Sequence, residues 1–278
     1  MRYICTSIVA TLVFAILIML SGCNFGTTVQ SSVKPLELKV GVTNAAVDAS
    51  TNNGRIKLLA DPNVNQARIE AEFTAGGETR EHAEARLGQV SIDAKIKDGK
   101  LYVRGIFPDP RFDGDRVDLS ITLASITTAQ LRSNNGRILI TGASGDVEIY
   151  TDNGRVEATS CIGALHVETD NGRIEVTDHD GGVDLKTDNG KITVALSDAS
   201  SDPFQLLTDN GGISLSVGAA FHGEIKVETN NGSIKTDGPT DRFTSISIND
   251  GRGNVRIGEG GPRSAIKTDN GSITIQTR

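Results

Sequence analysis

The sequence has no tryptophan, and aromatic residues make up only 4% of it. That argues against a groove that holds sugars by ring stacking. Three cysteines are too few for a disulfide scaffold. Positive charge is in deficit: 28 Lys and Arg face 35 Asp and Glu, for a net charge of -7. No broad basic footprint is offered to nucleic acid. Proline is scarce at 7 residues, glycine abundant at 31. With 23% charged residues the chain is too apolar to be disordered, and it is too rich in glycine for a helical bundle. Its 278 residues suit one elongated domain or two small ones.

The N-terminus reads as a targeting segment. Arg2 gives a positive start, and Ile4 to Leu20 is apolar apart from Cys5, Thr6, Ser7 and Thr11. The run ends in Leu20-Ser21-Gly22-Cys23. Small residues before a cysteine resemble the bacterial lipoprotein box. The resemblance implies a signal peptide over 1–22 and a diacylated Cys23 that becomes the acylated first residue. Such a protein is fixed to a membrane surface without spanning it. Asn24 in place of Asp implies outer-membrane transfer in a Gram-negative cell. The competing readings are a transmembrane anchor and an ordinary signal with a chance cysteine. Residues 23–35 are small and polar, as in a tether. Cys161 then has no cysteine partner and is expected to be a small buried residue.

A repeat dominates the rest of the chain. A Thr-Asp-Asn-Gly phrase recurs with its glycine at positions 54, 136, 154, 172, 190, 211, 232, 253 and 271. From Gly136 the spacings are 18, 18, 18, 21, 21, 21 and 18. Two residues after each glycine stands a β-branched apolar residue, such as Ile138, Val156, Ile174, Ile192 and Ile273. Five before stand Leu131, Ile149, Val167, Leu185 and their equivalents. Apolar residues alternate on both sides of the turn, which is strand, turn, strand with period two. Asn-Gly also favours hairpins. A fixed repeat length points instead to stacked coils whose equivalent strands pair in parallel roughly 4.8 Å apart. The expected fold is therefore all-β: a parallel β-solenoid (β-helix or β-roll) of 18–21-residue coils over 124–278.

Residues 36–123 contain one repeat copy, at Gly54. Beyond it lie four strand-like runs, over 67–73, 90–96, 101–106 and 117–123, with a short helix expected over 78–87. This reads as a β-rich N-terminal cap. The chain stops just past the last repeat, so the last strand is expected to be an open edge and a site of self-association.

Lipobox Cys23, the mixed region with its helix and the Thr-Asp-Asn-Gly-x-Ile-x-Val coils together resemble a bacterial putative-adhesin domain, a β-solenoid family of envelope lipoproteins. The resemblance covers roughly residues 36 to 278. It implies fold and envelope location, and brings no catalytic residues. The copy at Asn249-Asp250-Gly251-Arg252-Gly253 departs from the motif.

The turn residues form rows. Asn153, Asn171, Asn189, Asn210 and Asn231, each followed by Gly154, Gly172, Gly190, Gly211 or Gly232, are expected to stack as an amide ladder, with Asn or Gly in the left-handed region. Asp152, Asp170 and Asp188 precede the turn, and Arg155, Arg173 and Lys191 follow it. These six make the candidate binding face, the cations neutralising the carboxylates. Calcium is a sharper option for the acidic row, but the Gly-Gly-x-Gly-x-Asp phrase of calcium-binding rolls is absent. Asp178-His179-Asp180 reads as a polar turn before a metal site. Candidate catalytic groups all belong to repeated columns, and no nucleophile elbow, phosphate loop or zinc spacing occurs. The expectation is a non-enzymatic, lipid-anchored envelope protein without cofactor or metal. It presents a surface for binding or adhesion to an envelope protein or polysaccharide. The alternatives are a periplasmic scaffold or envelope-stress module and a polysaccharide-active β-helix.

Overall fold

The computed structural model describes residues 27–32, 36–38 and 44–278. The expected signal peptide (1–22) and Cys23 lie outside the described residues. The chain is all-β with one α-helix. In order come β1 (Thr27–Ser32), β2 (Leu36–Leu38), β3 (Asn44–Asn53), β4 (Ile56–Ala60), β5 (Ala67–Gly77), α1 (Arg80–Leu87), β6 (Ser91–Lys97), β7 (Lys100–Ile106) and β8 (Arg116–Leu123). The repeats then give β9 (Ser125–Asn135), β10 (Ile138–Thr141), β11 (Val147–Asn153), β12 (Val156–Thr159), β13 (Leu165–Thr169), β14 (Ile174–His179), β15 (Val183–Asn189), β16 (Ile192–Leu196), β17 (Phe204–Asn210) and β18 (Ile213–Val217). The last six are β19 (Gly223–Asn231), β20 (Ile234–Asp237), β21 (Phe243–Asn249), β22 (Arg252–Ile257), β23 (Arg263–Asn270) and β24 (Ile273–Thr277).

Two twelve-stranded, mainly parallel sheets result. One, here sheet A, runs β1-β5-β8-β4-β10-β12-β14-β16-β18-β24-β20, with β2 also paired to β5. The other, sheet B, runs β21-β22-β19-β23-β17-β15-β13-β11-β9-β3-β7-β6. The register follows the repeat. Ile138 pairs with Val156, Val156 with Ile174 and Ile174 with Ile192. Alternation sends one side chain of every two inward from both sheets, and Ile138, Ile149, Ile174, Leu185 and Ile192 are all 0% exposed. Each such burial contributes about 1.5–3 kcal/mol. Cys161 joins this core, and burial pushes its thiol up from its ordinary value.

The repeat copy at Gly54 pairs with the stack rather than standing apart: β3 is parallel to β9 and β4 to β10. Thr27–Ser32, within the expected tether, is a strand antiparallel to β5. The helix starts at Arg80, because the Thr79 hydroxyl caps it by accepting from the His82 N–H at 3.2 Å. A buried ion pair holds the loop beside it: Arg86 lies 2.6 Å from Asp115, with side chains 4% and 2% exposed.

Two features differ from expectation. The divergent copy at Gly253 is a hairpin, with β21 antiparallel to β22. Its turn residues Asp250 and Gly251 have φ of 49° and 74°, the left-handed pair that a two-residue hairpin turn requires. The C-terminal strand is not an edge. β24 sits between β18 and β20, and β23 between β17 and β19, so the last repeat is inserted beneath the one preceding it in sequence. The columns permit this, since Ile213 finds the same partner residue type in Ile273 as in Ile234. The outer strands at that end are β20 and β21.

Candidate binding face

The corner joining the two sheets is built from four columns. The asparagine column forms one chain of side-chain amides. Asn171 Nδ2 donates to Asn153 Oδ1 at 3.0 Å, and Asn171 Oδ1 accepts from Asn189 Nδ2 at 2.9 Å. The chain continues from Asn189 to Asn210, Asn270 and Asn231 on one side. On the other it runs from Asn153 to Asn135 and Asn53. Asn53 Nδ2 ends it by donating to the Asp115 carbonyl at 3.1 Å. All donors point the same way, so each amide polarises the next.

Glycine is needed here for space rather than for backbone angle. Neither the asparagines nor the glycines of this column, except Gly54, have positive φ. A Cβ at Gly154, Gly172, Gly190, Gly211 or Gly232 would come well within 3.0 Å of a carbonyl oxygen in the neighbouring turn. The threonine of each phrase points inward. Thr187, Thr208 and Thr229 donate their hydroxyls to the glycine carbonyls Gly172, Gly190 and Gly271 at 3.2, 3.0 and 2.8 Å. This second ladder was signalled by the recurring Thr, whose side chain sequence reasoning left without a role.

The six charged candidates do not form one mixed patch. Arg155 turns away from the aspartates onto the outer face of sheet A, where its Nε lies 2.6 Å from Glu157 and its terminal nitrogen 2.6 Å from Glu175. Arg137 also pairs with Glu157. Arg137 and Arg155 thus pair with glutamates of sheet A and leave the aspartates alone. The reason is geometric: Arg155 stands at the start of a sheet A strand, Asp152 near the end of a sheet B strand. Arg173 and Lys191 have no ion pair within 4.0 Å among the described residues. Asp152, Asp170 and Asp188 are exposed, in one row with Asp209, and their carboxylates have no hydrogen-bond or ion-pair partner among the described residues. At roughly 4.8 Å per strand, this row can take cationic groups or accept from hydroxyls.

Beside it, the outer face of sheet B carries pairs one repeat apart. Gln130 donates to Glu148 at 2.8 Å, Lys186 to Glu168 at 2.7 Å, and His166 Nδ1 lies 3.1 Å from Asp184 Oδ2. The Lys186 hydrogen bond holds the Glu168 carboxyl below its usual range. An open groove of about 680 Å³ crosses these strands, edged by Glu148, His166, Asp184, Gln205, Lys226 and Arg263. Sequence reasoning missed the His166–Asp184 pair, although their 18-residue separation equals one repeat. Asp178-His179-Asp180 does not converge. Asp178 accepts from the Ser160 hydroxyl at 3.0 Å, while the His179 ring is 1% exposed in the core and burial holds it below its ordinary pKa. Among the described residues, no group of three or more His, Cys, Asp and Glu is placed to hold a metal ion. No helix among them is long and apolar enough to cross a membrane.

Residues 145–277 match a family described as a domain of unknown function (DUF7330), short of half the chain. No curated protein matches the sequence. Among solved structures, the chain is similar to a putative adhesin from Bacteroides fragilis at 14% identity and a TM-score of 0.42, over 91% of this chain and 97% of that one. It is likewise similar to a putative adhesin from Parabacteroides distasonis at 10% identity and 0.39, over 91% and 98%. A putative cell adhesion protein from Clostridium sporogenes aligns at 13% identity and 0.37, over 91% and 100%. These three are bacterial proteins described as putative adhesins or a putative cell adhesion protein.

Proposed function

We propose that this protein is a lipid-anchored, non-enzymatic component of the bacterial cell envelope that presents a β-solenoid surface for binding or adhesion. In this reading the parallel ladders are 18–21-residue coils, and β5 to β8 with α1 are the cap over their N-terminal end. The observation that carries it is the uninterrupted corner. Eight asparagines hydrogen-bond in one line across the stack, and a row of unpaired carboxylates runs alongside. Repetition on this scale suits a surface that meets an extended partner at many equivalent points. Acyl chains on Cys23 would hold the molecule at the membrane. The test is protease treatment of intact and permeabilised cells. Loss from intact cells supports adhesion. Protection until permeabilisation refutes surface display and supports a periplasmic scaffold.

One observation favours a polysaccharide-active alternative. His166 and Asp184, which edge the open groove, form a pair that occurs once among the described residues, and Tyr150 stands 5.6 Å from the His166 ring. Incubation with envelope polysaccharides decides this. Product release that is lost in His166→Ala would refute the non-enzymatic reading.

A further inference from the structure

The outer face of sheet B is not uniformly charged. Side chains of paired residues share a face, so the registers order them. Across β6, β7, β3 and β9 one row runs Lys95, Tyr102, Asp48, Gln130 and the next Asp93, Arg104, Ser50, Arg132. Lys97 stands opposite Lys100 beside them. Five cations here meet two carboxylates on this face, Asp48 and Asp93, and a third, Asp98, in the hairpin turn, in a protein whose net charge is -7. Further along, the same face turns acidic with Glu148, Glu168 and Asp184. The two carboxylates do not quench the surplus. Asp93 lies 3.0 Å from Lys95, while Asp48, nearly buried, lies 3.8 Å from Lys100 and 4.0 Å from Arg132. Lys97 and Arg104 are exposed, with no ion pair within 4.0 Å among the described residues. Ile96 and Ile106, 37% and 42% exposed, add apolar surface to the same hairpin.

Position gives this patch its partner. The β6–β7 hairpin ends sheet B, and β1 ends sheet A at the same end of the molecule. Only three residues separate Cys23 from Thr27, where β1 begins. At about 3.5 Å per residue this is a reach of about 14 Å. Chains on Cys23 would hold this end close to the bilayer, and Lys, Tyr and Ile are side chains suited to that interface.

We propose that the β6–β7 hairpin docks on the anionic phosphate headgroups of the bilayer that holds Cys23. The molecule stands on its basic end, and the acidic stretch of the same face lies further along the sheet, away from the like-charged membrane. The proposal rests on the lipid-anchor reading. To test it, the full chain, purified from membranes in detergent, is reconstituted into phosphatidylcholine vesicles with or without phosphatidylglycerol. A water-soluble amine reagent then labels the lysines, read peptide by peptide by mass spectrometry. Labelling of Lys95, Lys97 and Lys100 is expected to fall several-fold when phosphatidylglycerol is present, while Lys186 and Lys267 label equally in both. K97Q and R104Q should each weaken the protection of Lys95 and Lys100 about fivefold, the equivalent of about 1 kcal/mol per cation. Equal labelling in both lipids would overturn the proposal. So would protection by soluble polygalacturonate without protection by phosphatidylglycerol, which would assign the patch to an acidic glycan. If Cys23 carries no acyl mass, the anchor reading fails separately. Co-sedimentation of the same full chain then decides: binding to phosphatidylglycerol vesicles alone upholds the docking, and binding to neither vesicle type overturns it.

Discussion

Replacing Gly172 with alanine adds one methyl group where two turns of the stack are in close contact. The new Cβ would fall well inside 3.0 Å of the Gly154 carbonyl oxygen and 2.9 Å from the Thr169 hydroxyl. Neither neighbour can yield cheaply. Gly154 is backbone, and the Asn171 N–H to Asp152 carbonyl bond at 2.8 Å ties the two turns together. Relief requires the strands to separate, which opens parallel ladder bonds and pulls the amide chain apart. Overpacking of this kind costs about 1–3 kcal/mol, and each hydrogen bond lost adds about 1 kcal/mol. We expect a loss of about 3 kcal/mol, or a fall in Tm of roughly 6–12 °C at 2–4 °C per kcal/mol. Gly182→Ala is the control: its φ is not positive, and its Cβ would meet only the Pro203 carbonyl at 3.6 Å. Alanine there should leave stability unchanged or raise it by about 0.4–1 kcal/mol through the unfolded chain. Scanning calorimetry of both variants decides. Equal Tm values would refute the account of close-packed turns.

Asn171→Ala removes one amide that donates and accepts, and should lower stability by about 1–2 kcal/mol in urea unfolding; an unchanged midpoint would deny the amide chain any stabilising role. Arg86→Ala strands the Asp115 carboxylate in the core and should cost about 3–5 kcal/mol, seen as a large fall in the unfolding midpoint. Burial raises Asp115, but hydrogen bonds from Arg86, Phe112 N–H and Gly76 N–H outweigh it, and the net pKa is lowered. Its contribution is therefore full above the ordinary carboxylate value of about 3.9 and lost as pH falls through the depressed value; Asp115→Asn should flatten stability in that acid range. His179 is held below its ordinary value by burial, so below about pH 6.5 the unfolded chain takes up the proton first. Stability should fall there by up to about 1.4 kcal/mol per pH unit, and His179→Leu should remove that slope in denaturation curves across pH.

What was legible in the sequence is what one column can carry. Ile138, Val156, Ile174 and Ile192 share a position two after the glycine, and that position alone gives both their burial and their register. The amide contacts of Asn153 with Asn171 follow from the same 18-residue step. The place of the last repeat was illegible for the same reason: the Gly232 and Gly271 copies present equivalent columns, so either can lie against the Gly211 copy. Only the β21–β22 hairpin, returning antiparallel along β19, carries the chain back to the open place. The partner of Arg155 is hidden in the motif columns, which group it with Asp152 in one turn phrase although the two stand on different sheets. Glu157 and Glu175 are the carboxylates on its own sheet. His166 and Asp184 belong to no sequence motif; their adjacency follows the 18-residue step of the repeat.

The central claim is an anchored surface, and the most direct measurement is the mass of the N-terminal peptide of protein purified from membranes, compared with a Cys23→Ser variant. The account predicts a first residue at Cys23 carrying acyl chains, and loss of both the acyl mass and the membrane fraction in the variant. An unacylated N-terminus, or a variant that stays in the membrane as firmly as the parent, would contradict it.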